Sequence, residues 1–315
     1  MTSGHGFDSR TAHNFMEQHT HENVQVQKNW YDKSYKLLLL VPLVLFLGSL
    51  IYLYGFYTQN GDIFYKDVSI TGGTTITVFS SADIVALEES LRTQFPDLTV
   101  RSMTDIRTGA QHGFFVETSA SVDEIKGALE RYLGFVLSTE NSSIEFTGAT
   151  LSTSFYNQLR IAVIASFILM AIVVFIIFRT PIRSLSIIIA GLADIIMTIV
   201  VIDMLGIRLS TAGIVALLML IGYSVDADIM LTTRVVKDKE GSINHRIWGA
   251  FKTGMTMTLT AIAAIGIALL FTHSLSPILS QMFTIILIGL CFDIFNCWVT
   301  NASLLKWYAE AKKTL

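Results

Sequence analysis

The chain has 315 residues, of which 52% are hydrophobic and 15% charged, and its net charge is -3. Its mean hydropathy of +0.56 is above the range of soluble globular proteins, which excludes a purely cytosolic enzyme. The apolar residues fall into six stretches, each long enough to cross about 30 Å of hydrocarbon. The predicted spans are 37–57, 161–178, 184–205, 212–232, 254–272 and 278–299.

Positive charge is distributed unevenly around these spans. Fourteen Lys and Arg residues lie in the two tails and in the links after the second and fourth spans, whereas Arg208 is alone in the two opposite short links. The positive-inside rule therefore predicts that both termini are cytoplasmic. Residues 1–36 and 306–315 are expected to form polar cytoplasmic tails in a plasma membrane protein. The segment 37–57 has no small-residue cleavage site after it and is expected to be a retained anchor.

Residues 58–158 are too many for a loop and predict a folded extracytoplasmic domain. They contain thirteen Asp and Glu but six Lys and Arg, which argues against binding nucleic acid. Both cysteines lie in the last span, so no disulfide is expected in this domain. Turn and capping signals predict the order strand, helix, strand, strand, helix, strand, with Ser81 and Ser121 as helix caps. That order is typical of an α+β ferredoxin-like domain inserted between transmembrane helices 1 and 2.

Residues 159–305 are predicted to form a bundle of five transmembrane helices, and acidic residues lie inside three of them. A charged Asp at a helix centre costs about 2.5 to 3.5 kcal/mol, so such residues should face the bundle interior and are functional candidates. Polar stripes on the fifth span, at Thr253, Thr256 and Thr260, and on the sixth predict that three spans meet at a polar seam. The acids are Asp194, Asp203, Asp226, Asp228 and Asp293.

Depth along the spans suggests which acids act together. Counting about 1.5 Å per residue, Asp226 and Asp293 lie about 9 Å from the cytoplasmic ends and Asp194 about 15 Å, so these three are predicted to share a layer. Asp228 points about 200° away from Asp226 and is the auxiliary candidate, with Ser224 one turn earlier as its partner. We therefore predict a proton relay with Asp226 as the principal group. The alternative is that the acids are neutral packing residues, and no metal or cofactor is expected.

Several motifs resemble one family. The run Gly222-Tyr223-Ser224-Val225-Asp226, followed by Arg234, resembles the signature of the SecF family, and Thr71-Gly72-Gly73-Thr74 resembles the motif that opens the family's outer domain. The link Phe178-Arg179-Thr180-Pro181 and the acid Asp194 also match the pattern. The chain has Asp226 where bacterial members have Asn, and in this it resembles the archaeal branch. The family-motif residues are Gly72, Gly73, Gly222, Tyr223, Ser224 and Arg234.

The resemblance implies an auxiliary role in protein export. SecF is the smaller half of the SecDF complex and a relative of the proton-driven RND transporters. The implied partners are a SecD-like subunit, the Sec translocation channel, the unfolded exported polypeptide and membrane lipid, with the proton or ion gradient as the energy source and no enzyme activity. Two alternatives remain open, a passive scaffold of the translocon and an RND-type half-transporter for small molecules or lipids.

Overall fold

The computed structural model describes residues 30–104, 108, 110–237, 242–272 and 276–313. Six helical segments among them are long and apolar enough to cross a membrane, which confirms the predicted number of spans. The helices that form them are α1 Trp30–Leu38, α2 Leu40–Asn60, α6 Ala149–Phe178, α7 Pro181–Met204, α8 Thr211–Lys237, α9 Ile243–Thr272, α10 Pro277–Phe295 and α11 Ala302–Lys313. A π-helical turn, Asn296–Asn301, joins α10 to α11.

The sixth span is longer than its predicted bounds, because the helical path continues past 299 through the π-turn into α11, which ends at Lys313. The hydropathy signal fades there because α11 is amphipathic. Likewise α6 begins at Ala149, before the predicted domain end at 158, since its first turns are polar. Within the bundle, α7 and α8 are the most buried spans, whereas few residues of α6 and α9 are fully buried.

Between α2 and α6 lies a small four-stranded sheet, which we call the sheet domain (residues 73–147). Its strands are β1 Gly73–Val78, β2 Thr99–Thr104, β3 Gln111–Thr118 and β4 Ser142–Thr147, in the order β2-β3-β1-β4 with every neighbouring pair antiparallel. The chain also contains the short helix α3 Val68–Thr71 before β1, α4 Ile84–Arg92 after it, and α5 Val122–Leu133 before β4.

The two longer helices of the sheet domain cover one face of the sheet. Alternate strand residues such as Ile76 and Phe114 are fully buried together with Leu87 of α4 and Ile125 of α5, and form a separate apolar core. This alternation follows from the two-residue period of a strand.

The sequence predicted the N-terminal cap of α5 correctly but not that of α4. Ser121 caps α5 as predicted, and its backbone N–H donates to Glu124 at 3.2 Å. The prediction that Ser81 caps α4 is wrong. The cap is Asp83, whose carboxylate accepts from Val85 N at 2.9 Å, because the helix begins two residues later than the pattern suggested.

The paired glycines before β1 satisfy two different steric requirements. Gly72 has a φ of +87°, and a Cβ there would be 2.5 Å from Ala149 Cα at the start of α6. At Gly73 a Cβ would be 2.4 Å from the Thr118 carbonyl oxygen of β3. Gly72 therefore provides both a positive φ, which favours glycine, and a close approach between the start of β1 and the bundle.

The sheet domain is tied to the bundle through the link between α7 and α8. Leu209 N donates to the Tyr65 carbonyl at 2.6 Å, and Asp67 N donates to the Leu209 carbonyl at 3.0 Å. Arg208 donates to the Asp97 carbonyl of the sheet domain at 3.0 Å. The segment before β1 and the start of α8 are therefore held together by backbone hydrogen bonds.

Candidate functional site

Three acidic residues from three helices meet in the bundle interior. Asp194 of α7 and Asp228 of α8 are each 1% exposed, and Asp293 of α10 is 2% exposed. The carboxyl groups lie close enough for their charges to repel one another in pairs: Asp194 with Asp228, Asp228 with Asp293, and Asp293 with Asp194. Like charges buried in a low dielectric cannot all be ionised, so the arrangement favours keeping protons within the cluster. We call these three residues the acid cluster.

Asp194 is the best hydrogen-bonded member of the acid cluster. Its Oδ1 accepts from Asn296 Nδ2 at 2.7 Å, and its Oδ2 accepts from Ser224 Oγ at 2.5 Å. A carboxylate with donors on both oxygens is stabilised in its charged form.

The other two acids are less completely bonded. Asp228 Oδ1 accepts from Asn301 Nδ2 at 2.7 Å, whereas Oδ2 is buried without a hydrogen-bond partner in the described part of the chain. Asp293 Oδ1 is likewise buried and unpartnered there. Burying an ionised oxygen without a donor is costly, so these two atoms are the natural positions for a proton in the acid cluster.

The π-turn explains how one helix supplies both amides. Asn296 and Asn301 are five residues apart, which on a regular α-helix places them about 140° apart. The hydrogen bond from Ala302 N to the Cys297 carbonyl has the i to i+5 spacing that brings such residues onto nearly the same face. Asn301 also accepts from Ser186 Oγ of α7 at 3.0 Å, so its amide joins three spans.

The predicted position of Asp226 is corrected by the structure. The helix turns it outward, where it is exposed beside Gly222 and Tyr223, and the interior acid on α8 is Asp228. The two are about 200° apart, and depth counting contains no information about which of them faces inward. The structure thus groups Asp194 and Asp293 as predicted, with Asp228 in place of Asp226.

Two further predicted contacts differ from the observed ones. Ser224 bonds Asp194 rather than Asp228, because α7 packs closely against that side of α8. The threonine stripe on α9 does not join a polar seam in the interior. Thr256 and Thr260 are exposed, and each donates to the carbonyl four residues earlier, at 2.8 and 2.6 Å.

Two of the remaining sequence candidates have structural contacts. Arg234 donates to the Gly249 carbonyl at 3.1 Å and thereby links α8 to α9. Asp203 is buried and accepts from Tyr65 N at 3.3 Å, near the attachment of the sheet domain. Within the described residues, no three His, Cys, Asp or Glu side chains are arranged to hold a metal ion.

Sequence reasoning missed the role of Asn301 and of Ser186. Asn301 lies beyond the predicted end of the sixth span, and Ser186 lies near the start of α7, where polar residues are common. An amide next to an apolar stretch does not reveal a partner 73 positions away.

Comparison with known proteins identifies a family. The family model described as Protein export membrane protein SecD/SecF, C-terminal, matches residues 129–311. The chain is 38% identical over 286 residues to protein-export membrane protein SecF of Methanocaldococcus jannaschii, covering 88% of this chain and 96% of the relative. It is 36% identical over 287 residues to SecF of Methanothermobacter thermautotrophicus, covering 89% and 94%.

Solved structures have the same fold. The crystal structure of SecDF, a translocon-associated membrane protein from Thermus thermophilus, matches with a TM-score of 0.69 at 18% identity over 90% of this chain. The chain spans 39% of the length of that SecDF chain. A second SecDF crystal structure, in a super-membrane-facing form, matches with a TM-score of 0.56 at 20% identity over 87% of this chain. The chain is therefore a multi-pass membrane protein that belongs to the SecF family.

Proposed function

We propose that this chain is an auxiliary subunit of the Sec protein translocase that acts with a SecD-like partner. It assists the export of unfolded polypeptide through the Sec channel, in contact with membrane lipid, and uses the proton or ion gradient rather than enzymatic bond cleavage. The names of its curated relatives and the fold shared with SecDF support a role in protein export.

The observation that carries the energetic part of the proposal is the acid cluster. Asp194 has donors on both oxygens, whereas Asp228 and Asp293 each have a buried oxygen without one. Because of this difference, the Asp228 and Asp293 pair should take up a proton before Asp194 does. A relay of this kind needs no metal and no cofactor.

Proton entry supplies enough energy to move a domain. One charge crossing 100 mV is worth about 2.3 kcal/mol, which biases a two-state equilibrium roughly fiftyfold. Asp228 lies on α8, and that helix begins at Thr211, whose N–H donates to Ser69 Oγ of α3 at 3.1 Å. A shift of α8 on protonation would therefore act directly on the segment that leads into the sheet domain.

The proposal also covers the sheet domain and its orientation. Its element order, strand-helix-strand-strand-helix-strand, and its strand order β2-β3-β1-β4 support an α+β ferredoxin-like domain. The distribution of Lys and Arg supports an extracytoplasmic position for it, with both termini in the cytoplasm.

The test is gradient-dependent export in reconstituted vesicles that contain the Sec channel, the SecD-like subunit and this chain. We expect Asp228→Asn to abolish the stimulation by a proton gradient, because an amide keeps the shape but cannot titrate. Asp226→Asn, on the outward face of the same helix, is the matched control and should have the milder effect.

Two results would favour the alternatives. Undiminished gradient-dependent export with Asp228→Asn would favour a passive scaffold. Unchanged export combined with gradient-driven uptake of a lipid or small molecule would favour a half-transporter.

A further inference from the structure

A buried carboxyl group at the end of α7 is not part of the acid cluster. Asp203 is 4% exposed and lies one residue before the end of that helix. Asp194 is nine residues earlier, which on a regular helix is about 14 Å along the axis and about 180° around it. The two carboxyl groups therefore face opposite sides of α7, so Asp203 does not exchange protons directly with the acid cluster.

The surroundings of Asp203 disfavour its charge. Its Oδ1 accepts a hydrogen bond from Tyr65 N at 3.3 Å, and its Oδ2 is buried without a partner in the described part of the chain. Its position in the last turn of α7 places it at the negative end of the helix dipole. Among the described residues, no Lys or Arg forms an ion pair with it. The unbonded Oδ2 is therefore a natural position for a proton.

Tyr65 is held at both of its backbone groups by the end of α7 and the link that follows it. Its N–H donates to Asp203, and its carbonyl accepts from Leu209 N at 2.6 Å. Asp67 N extends this pairing by donating to the Leu209 carbonyl at 3.0 Å. Of these three hydrogen bonds, the one to Asp203 is made by a side chain that a proton can neutralise.

The charged and titratable side chains around Asp203 and Tyr65 come from α2, the segment before α3, α6 and the link after α7. They are Tyr52, Asp62, Lys66, Asp67, Tyr156 and Arg208. The two cations are already engaged, since Lys66 Nζ pairs with Asp62 at 2.6 Å and Arg208 donates to a sheet-domain carbonyl at 3.0 Å. Tyr52 is close enough for its ionised form to repel the Asp203 carboxylate. Neither cation neutralises Asp203, so its charge can be relieved by a proton.

We propose that Asp203 is a positioning residue whose protonation loosens the hold on Tyr65 and thereby the attachment of the sheet domain to the bundle. As a carboxylate it accepts a charge-assisted hydrogen bond, which is roughly twice as strong as a neutral one. A proton on Oδ2 removes the cost of the unbonded oxygen and leaves Oδ1 as a weaker acceptor.

The consequence is a response to pH at the outer end of the bundle. Acid on the sheet-domain side of the membrane releases the segment that runs from Tyr65 through α3 into β1. This inference goes beyond the proposed function, because it requires neither a Sec channel nor titration of the acid cluster.

The experiment measures hydrogen exchange at the Tyr65 amide of the full chain in nanodiscs. The intrinsic rate at each pH is divided by the observed rate, so this protection reports local opening and not the direct effect of pH. We expect the protection to fall about fivefold between about pH 8 and about pH 5, a change of about 1 kcal/mol. Amides of β1 are the internal reference and should keep their protection. Equal protection of Tyr65 at the two pH values, or a parallel loss in β1, would overturn the inference in the wild-type chain itself.

Three substitutions test whether Asp203 is the titrating group. Asp203→Asn keeps the shape and a neutral acceptor, so Tyr65 should have the low protection at both pH values. Asp62→Asn is the matched control and should retain the wild-type profile, because the Asp62 side chain is 42% exposed and pairs with Lys66. A pH-dependent Tyr65 amide in Asp203→Asn would overturn the inference.

Asp67→Asn examines the other buried carboxyl group of the segment. We expect the pH dependence of Tyr65 to persist in this variant. If Asp67→Asn abolished it, the role would belong to Asp67 and the inference would be overturned. Should Asp203→Asn not fold, the wild-type profile and Asp67→Asn still decide.

The same measurement on Asp228→Asn separates this inference from the proposed function. We expect the Tyr65 profile to survive, because Asp203 faces away from the acid cluster. Loss of the pH dependence in Asp228→Asn would place its origin in the acid cluster and overturn the inference. If Tyr65 exchange does not depend on Asp203 while export still requires Asp228, the proposed function stands alone. If Tyr65 behaves as expected while Asp228→Asn exports normally, only the ion coupling fails.

Discussion

Asn301 donates a 2.7 Å hydrogen bond to Asp228, so one amide determines which oxygen of a buried carboxyl group is bonded and which is left free. The same amide accepts from Ser186, and its position depends on the π-turn that interrupts the sixth span. Insertions of this type are often found at functional sites. The π-turn therefore positions a donor for the acid cluster and is not a packing irregularity.

Replacing that amide should destabilise the bundle. Asn301→Leu removes the donor to Asp228 Oδ1 from a buried site, and we expect a loss of about 1 to 3 kcal/mol in the free energy of unfolding. Thr300→Ala is the control, because Thr300 contributes only a 3.4 Å contact to Asn296 in the same π-turn. Unfolding of the two purified variants in detergent measures this loss. Equal free energies of unfolding for Asn301→Leu and Thr300→Ala would show that the amide is dispensable.

Chemical modification should distinguish the three acids. Dicyclohexylcarbodiimide reacts with protonated carboxyl groups in apolar surroundings, so we expect mass spectrometry to find it on Asp228 or Asp293. Asp194, with donors on both oxygens, should be modified less than Asp228 or Asp293. Modification of Asp194 in preference to the other two would reverse the roles that we assign.

The glycine before β1 should not tolerate a side chain. Gly72→Ala combines a left-handed φ with a Cβ 2.5 Å from Ala149 Cα. Gly134→Ala is the matched control, because Gly134 has a φ of +76° and nothing within 4 Å of its Cβ position. We expect the control to cost about 1 kcal/mol from backbone strain and Gly72→Ala to cost clearly more. If thermal unfolding showed a similar loss of stability in Gly72→Ala and Gly134→Ala, then Ala149 at the start of α6 would have to move aside at little cost.

Asp97 should contribute to stability at neutral pH and lose its contribution in acid. Burial disfavours its charge, but hydrogen bonds from Ser119 N at 2.6 Å and Thr118 Oγ1 at 3.0 Å outweigh burial and lower the pKa of this carboxyl below its ordinary 3.8. A lowered pKa in the folded state stabilises the fold above pH 3.8, and this stabilisation disappears as the pH falls through the folded value.

The variant Asp97→Asn tests this pH dependence. We expect it to be less stable than the wild type at pH 7, with the difference shrinking toward about pH 2, as the pH falls through the lowered pKa of the folded carboxyl group. Thermal unfolding of the full chain at the two pH values measures the effect. A difference that is the same at both values would assign the contribution of Asp97 to shape and not to charge.

The orientation in the membrane can be tested with single cysteines in a background without Cys291 and Cys297. An impermeant maleimide added to intact cells should label Val85→Cys on α4, which is 64% exposed, and should not reach Trp307→Cys on α11, which is 54% exposed. We expect this labelling pattern because the excess of Lys and Arg in alternate segments predicts a cytoplasmic C-terminal tail and an extracytoplasmic α4. The opposite labelling pattern would invert the topology.

The sequence alone determined the features that depend on composition along the chain. The six spans and the capping of α5 by Ser121 could be predicted because hydropathy and capping chemistry are local properties. The family motifs identified the same relatives that the comparisons later found.

Only the tertiary structure decided which side chains meet. Each helix residue advances about 100°, so choosing Asp228 over Asp226 requires knowing which face of α8 packs against α7 and α10. The π-turn then changes that phase within one helix and brings Asn301 to Asp228 in a way that no regular period predicts. The position of β4 at one end of the sheet likewise depends on strand order, because pairing between strands is a long-range property that local sequence does not encode.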